Sequence, residues 1–219
     1  MMGHEISAIG RRALVRLAIA ASVVTVPWLP VRAQNAVPTE PTAPIRRLDE
    51  ALLAAMQSGR TETFAQRFAA LTPVIEQTFD LDAILAVSVG LGWPELPEDQ
   101  KAPLRATFLR YTVASYAANF NSYSGQTFQL SPTVRMVGDG RVIVQTRLVS
   151  TDGSAMPLNY LMRNGQAGWK AVDVLEDGSI SRVAVQRSDF RGLLGSGGVP
   201  ALITALQQKV ATLSGGMLA

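Results

Sequence analysis

Three carboxylates, Asp173, Glu176 and Asp177, lie close together in the stretch GWKAVDVLEDGSIS. Paired carboxylates can act as general acid and base, or as acid and nucleophile, when both face one substrate bond. Strand alternation starting at Trp169 sends Asp173 and Glu176 to opposite faces, so they do not flank one bond. They read instead as a structural acid beside a turn. Asp173 shares its face with Trp169 and Ala171 and needs a partner if it is buried; Arg187, in the helical segment that follows, is the expected one. The other catalytic templates fail on composition. The chain has no cysteine, and its single histidine is His4. A Ser-His-Asp triad, a Cys-His pair and the ordinary zinc sites therefore have no residues to use. The loops VGDGR and STDGS hold too few acidic ligands for an EF-hand type of calcium site and read as hairpin turns. The expectation is a protein without catalytic residues, metal or cofactor.

His4 also belongs to a segment expected to be removed. Arg11, Arg12 and Arg16 form a basic n-region, Leu17 to Val26 is a short apolar run, and Val31-Arg32-Ala33 places small residues where a signal peptidase cuts. Residues 1–33 thus read as a cleaved signal peptide; a retained anchor is the alternative, opposed by Pro27 and Pro30. The paired arginines of GRRALV are compatible with twin-arginine export, although ordinary signals carry arginines too. The 20 basic and 17 acidic residues of the chain lose four arginines and one glutamate with this segment, leaving 16 of each. The net charge of +3 falls to zero, which removes the case for a nucleic-acid partner. An exported chain without disulfides must be stabilised by its core, and the periplasm is the compartment expected, with secretion into the medium equally compatible.

Elements follow from periodicity. Residues 34–44, QNAVPTEPTAP, are polar and proline-rich, a flexible leader. One domain, 45–215, is expected after it. Ile45, Leu48, Leu52 and Ala55 form one helical stripe that ends at Gly59, and Phe64, Phe68, Leu71, Ile75 and Phe79 form a second over 61–79. Asp80 is placed to cap a short helix over 81–87. Pro97, Glu98 and Asp99 open the longest helix, reaching Asn119, with Pro103 expected to kink or restart it. Four β-rich runs follow at 126–137, 141–150, 155–163 and 169–176, separated by glycine-containing turns. Val142, Val144 and Leu148 share one face, as do Met156, Leu158, Tyr160 and Met162. Helices over 181–194 and 199–213, divided by GSGG, close the chain. The fold class is α+β: an antiparallel meander of about four strands flanked by N- and C-terminal helices.

What the apolar faces enclose is less determined by the residues themselves. Valine, leucine and alanine are abundant and aromatics make up 6% of the chain. Such faces form ordinary core in most proteins, yet the composition also suits the wall of a cavity for hydrocarbon.

Several ordered segments bear on this through a family resemblance. FDLDAI, LGWPELPEDQ, FLRYTVASYAANFNSYSG, LNYLM, GWKAVDVLEDGSIS, QRSDF and GGVPALITALQQK resemble the MlaC family of periplasmic lipid-binding proteins, also called the toluene-tolerance family. Together they span nearly all of the chain after residue 44. SVGLGWPELPEDQ and DGSISRVAVQRSDFRGLL are most similar to its hopanoid-associated HpnM branch; Pro103 departs from the helix former expected there. The resemblance implies a sheet and helices enclosing an apolar cavity, with a phospholipid or a hopanoid as cargo. It also implies inner- and outer-membrane lipid transport complexes, or a membrane transporter, as partners. The residues expected around the lipid are Phe68, Ile75, Phe79 and Leu85, then Phe108, Tyr111 and Tyr116 of the long helix. From the sheet come Val144, Leu148, Leu158, Tyr160, Met162, Val172 and Val174, with Ile180 and Phe190 beyond it.

Two other readings stay open at this level. A lipid-modifying enzyme would require a convergent polar cluster, and a non-catalytic subunit of a membrane complex would fill the cavity with side chains. The export reading has its own test. N-terminal sequencing of the exported protein is expected to begin at Gln34, and a product still carrying Arg11 to Val31 contradicts it.

Overall fold

The computed structural model describes residues 40–218. The signal peptide and most of the expected leader lie outside the described residues. Helix α1, Thr42–Ser58, begins within the segment expected to be leader. Its stripe of Ile45, Leu48 and Leu52 is fully buried, which accounts for its helicity better than its weak caps do.

Helix α2, Phe64–Thr78, starts on a capping box: the Thr63 hydroxyl accepts from the Gln66 amide and the Gln66 side chain accepts from the Thr63 amide. Helix α3, Leu81–Val89, is capped by Asp80, whose Oδ1 accepts from the Ala83 amide at 3.1 Å, as its sequence position predicts. Helix α4, Glu98–Asn119, runs on through Pro103 without a break. The helix does not restart there: Pro103 is its sixth residue and is exposed. Its own carbonyl accepts from the Thr107 hydroxyl at 2.9 Å.

The sheet has five antiparallel strands in chain order: β1, Thr127–Met136; β2, Val142–Val149; β3, Ala155–Gly165; β4, Gly168–Glu176; and the two-residue β5, Ile180–Ser181. Register fixes the concave face. Val144 pairs with Tyr160, Thr146 with Leu158, Tyr160 with Val174 and Leu158 with Glu176. Pro132 sits where β1 loses register between Leu130 and Val134, a position an edge strand tolerates.

In β4 the register slips between Leu161 and Met162, so that Leu161 pairs with Asp173 and Met162 with Ala171. Val172 is the extra residue of this bulge. The alternation expected across Trp169 to Val174 is thereby re-phased: Ala171 and Val174 share the inner face, and Val172 leaves it.

The last helix, α5, Arg182–Leu213, contains one non-helical residue, Gly198, at φ 65° and ψ −158°. Sequence places a four-residue break at GSGG, whereas the chain stays helical through Gly195, Ser196 and Gly197. The turn is concentrated in the single residue that needs a glycine backbone, with Pro200 restarting the helix. Beyond it Leu202, Leu206 and Val210 are buried. Among the described residues no helix is long and apolar enough to cross a membrane.

The end of α1 is held against the chain leaving α4 at Gly59. A Cβ there would stand 1.8 Å from the Asn121 carbonyl oxygen. Gly59→Ala is therefore expected to destabilise the fold by about 1–3 kcal/mol, read as a lowered urea midpoint. Gly92→Ala, where a Cβ meets nothing within 4 Å, should leave the midpoint unchanged.

Candidate functional site

A cavity of about 550 Å³ lies between α4 and the concave face of the sheet, closed on its other sides by α3 and the first turns of α5. Its volume is within the range of ligand-binding sites. Helix α4 presents Phe108, Tyr111, Thr112, Ser115, Tyr116 and Asn119; the sheet presents Leu148, Met156, Leu158, Tyr160 and Val174. Leu81 and Ile84 come from α3, and Arg182, Val183 and Gln186 from α5.

The space exists because small residues stand where a packed core would carry large ones. The Thr112 and Ser115 hydroxyls bond back to the Phe108 and Tyr111 carbonyls of their own helix at 2.9 and 2.8 Å. They occupy little volume and leave no donor in need of a partner.

The lining is graded. Phe79, Phe108, Leu158, Tyr160 and Val183 are buried, whereas Asn119, Ser122 and Asp177 are exposed and Gln126, Glu176, Arg182 and Gln186 are half-buried. Phe79 packs between Tyr116 and Tyr160, with ring centroids 5.7 and 6.2 Å away. Burial raises both tyrosine pKa values, and beyond it Glu176 adds to the rise at Tyr116, and the Tyr116 phenol and Asp49 to that at Tyr160. Both phenols thus remain neutral donors.

The acidic residues at the rim have structural partners. Asp173 Oδ1 accepts from the amides of Val174 and Val183 at 2.8 and 3.1 Å, and its Oδ2 accepts from the Ser181 hydroxyl. These bonds fix the start of α5 and replace the expected pairing with Arg187, which instead lies beside Gly90. Glu176 pairs with Arg182, Oε1 to Nε at 3.2 Å.

Of the residues expected around cargo, the structure brings Phe79, Phe108, Tyr111, Tyr116, Leu148, Leu158, Tyr160 and Val174 to the cavity. The others stand elsewhere. Ile75, Leu85, Val144 and Met162 are fully buried in the packed core. Phe190, also buried, stands behind the wall with its ring edge-on to Phe108 at 6.3 Å. Phe68 packs on the core from its margin, Val172 leaves the inner face at the bulge, and Ile180 is half exposed on β5. Missed by sequence reasoning are Met56, Ile84 and Val183. Helical stripes could have supplied them, but periodicity does not say which part of a buried stripe borders empty space.

With this geometry in hand, the relatives can be placed. The described domain is an α+β fold around an apolar-floored cavity. The chain belongs to the MlaC family, described as MlaC protein, which matches residues 46–208. A solved structure of a phospholipid-binding protein from Ralstonia solanacearum, in complex with a phospholipid, has the same fold. It is 20% identical, with a TM-score of 0.68 over 80% of this chain and 99% of that one.

One buried acid lies outside the cavity lining. Asp49 of α1 is 6% exposed; its Oδ2 accepts from the Thr146 hydroxyl at 3.2 Å, while its Oδ1 has no hydrogen-bond partner among the described residues. Burial pushes its pKa up to about 7, the Thr146 bond opposes the rise, and Glu50 adds to it. The folded state thus holds the Asp49 proton more tightly than the unfolded chain does. Its contribution is fully present below about pH 4 and is lost as pH rises through about 7. Asp49→Asn should flatten this slope and raise stability at pH 8 by on the order of 2–4 kcal/mol, measured by urea denaturation at pH 5 and pH 8.

Proposed function

We propose that this chain is a non-catalytic lipid carrier, exported to the periplasm, which holds a phospholipid or a hopanoid in its cavity and passes it between membranes. Membership of the MlaC family and the fold shared with a phospholipid-binding protein support this reading. The observation that carries it is the graded cavity: a buried apolar wall of Phe79, Phe108, Leu158 and Val183 leading to a half-exposed polar rim. Lipid has the same gradient. Each methylene moved from water to that wall contributes about 0.8 kcal/mol, so hydrocarbon alone can supply the affinity.

The same residues argue against an enzyme. The wall hydroxyls of Thr112 and Ser115 are bonded to their own helix, Asp173 is held by Ser181 and Val183, and Glu176 is held by Arg182. None of these groups is poised as an activated nucleophile. The reading as a subunit with a filled interior is disfavoured by 550 Å³ of open volume.

On this proposal residues 1–33 direct export, 34–44 lead to the fold and 45–215 form the lipid-binding domain. Loading and unloading occur at inner- and outer-membrane lipid transport complexes. The eight cavity-lining aromatic and aliphatic residues anticipated from sequence contact the cargo, with Met56, Ile84 and Val183 beside them.

Leu158→Trp tests the carrier against a packed core. The indole should enter the cavity, so melting temperature should change little while lipid copurifying with the protein is lost. Packed core would respond with a stability loss of about 1–3 kcal/mol and unchanged lipid. Native mass spectrometry and a thermal melt on the same preparation distinguish the two.

A further inference from the structure

The rim of the cavity carries its own chemistry. Four charged residues line the cavity, the acids Asp173, Glu176 and Asp177 and the cation Arg182. Asp173 is engaged by Ser181 and the Val183 amide, and Glu176 is paired with Arg182 through Oε1 and Nε, which leaves Asp177 and the remaining polar atoms of the Glu176–Arg182 pair to meet a ligand. Arg182 meets Glu176 through Nε, which takes one of several guanidinium donors. Asp177 is exposed, at a turn with φ 49°. Toward solvent the lining therefore presents the Arg182 guanidinium paired with the Glu176 carboxylate, with the Asp177 carboxylate as a further exposed acid.

This pattern is complementary to a zwitterion and repels a net anion. A phosphate brought to Arg182 comes close to Glu176, Asp177 adds a second negative charge to the same lining, and only a head group that also carries a cation offsets that repulsion. Resting on the lipid-carrier reading, we infer that the rim selects lipids by head-group charge. The phosphate of a zwitterionic, ammonium-bearing phospholipid is received by Arg182 and its ammonium by Glu176 and Asp177, while anionic phospholipids are disfavoured.

The test compares dioleoyl phosphatidylethanolamine with dioleoyl phosphatidylglycerol, whose acyl chains are identical, each presented to delipidated full-length mature protein and quantified by native mass spectrometry. Wild type should load the ethanolamine lipid in preference, on the order of five- to tenfold at low ionic strength, and the preference should shrink with added salt. The double variant Glu176→Gln with Asp177→Asn should lose the preference between the two lipids; asparagine tolerates the positive φ at 177. Arg182→Gln, which leaves the rim purely acidic, should reject phosphatidylglycerol more strongly than wild type does. Equal loading of the two lipids by wild type overturns the inference and leaves the carrier reading intact, as does a preference that survives in the double variant. Loading of neither lipid by folded wild type overturns the carrier reading and this inference with it.

Discussion

The outer edge of β4 is the constraint on which the rest of the domain depends. An uncovered strand edge offers a row of unpaired amides and carbonyls, and here three separate elements meet it. At one end Phe79 forms a parallel bridge to Ala171, and the Asp80 amide donates to the Ala171 carbonyl at 2.9 Å. In the middle the Asp173 carboxylate receives the Val183 amide at the start of α5. At the far end Leu175 and Glu176 pair with β5. The junction of α2 with α3 and the start of α5 are therefore fixed to one strand. That strand also places Val174 and Glu176 in the wall, so the helices that close the cavity and the sheet that forms it are positioned together.

Much of this was legible in the sequence because it is local. Two helix starts, at Asp80 and Pro97, carry their own capping or dipole chemistry. The hairpins carry glycine turns, and the face shared by Leu158, Tyr160 and Met162 follows from alternation alone. What escaped was non-local or depended on one residue's count. A bulge at Val172 has no signature in β-branched spacing, yet it moved every residue on one side of it to the other face. Asp173 was recognised as an acid in need of a partner, but its partners are an amide and a hydroxyl across a tight turn, not a guanidinium one helical turn further on.

The site shows the same division. Aromatic and aliphatic residues at the right periods were visible, and half of those expected at the cavity line it. Whether a buried position borders another side chain or open space is set by the small residues opposite it. Thr112 and Ser115 are small residues of that kind on the cavity face of α4.

That volume has an energetic consequence. Unfilled space inside a packed core costs on the order of 24 cal/mol per Å³, so a sealed, empty void of 550 Å³ would cost about as much as the whole stability of an ordinary domain, roughly 5–15 kcal/mol. A sequence without disulfides cannot carry such a defect. The polar rim resolves the difficulty, since Asn119, Ser122, Gln126 and Gln186 keep the mouth wet and let water occupy the space when cargo does not. On the proposed carrier function, hydrocarbon entering displaces water from an aromatic and aliphatic wall, and the free energy released stabilises the folded state through linkage. On that proposal the rim that opens the cavity to exchange is also what makes the empty fold tolerable, and the affinity for cargo is drawn from the wall that would otherwise destabilise it.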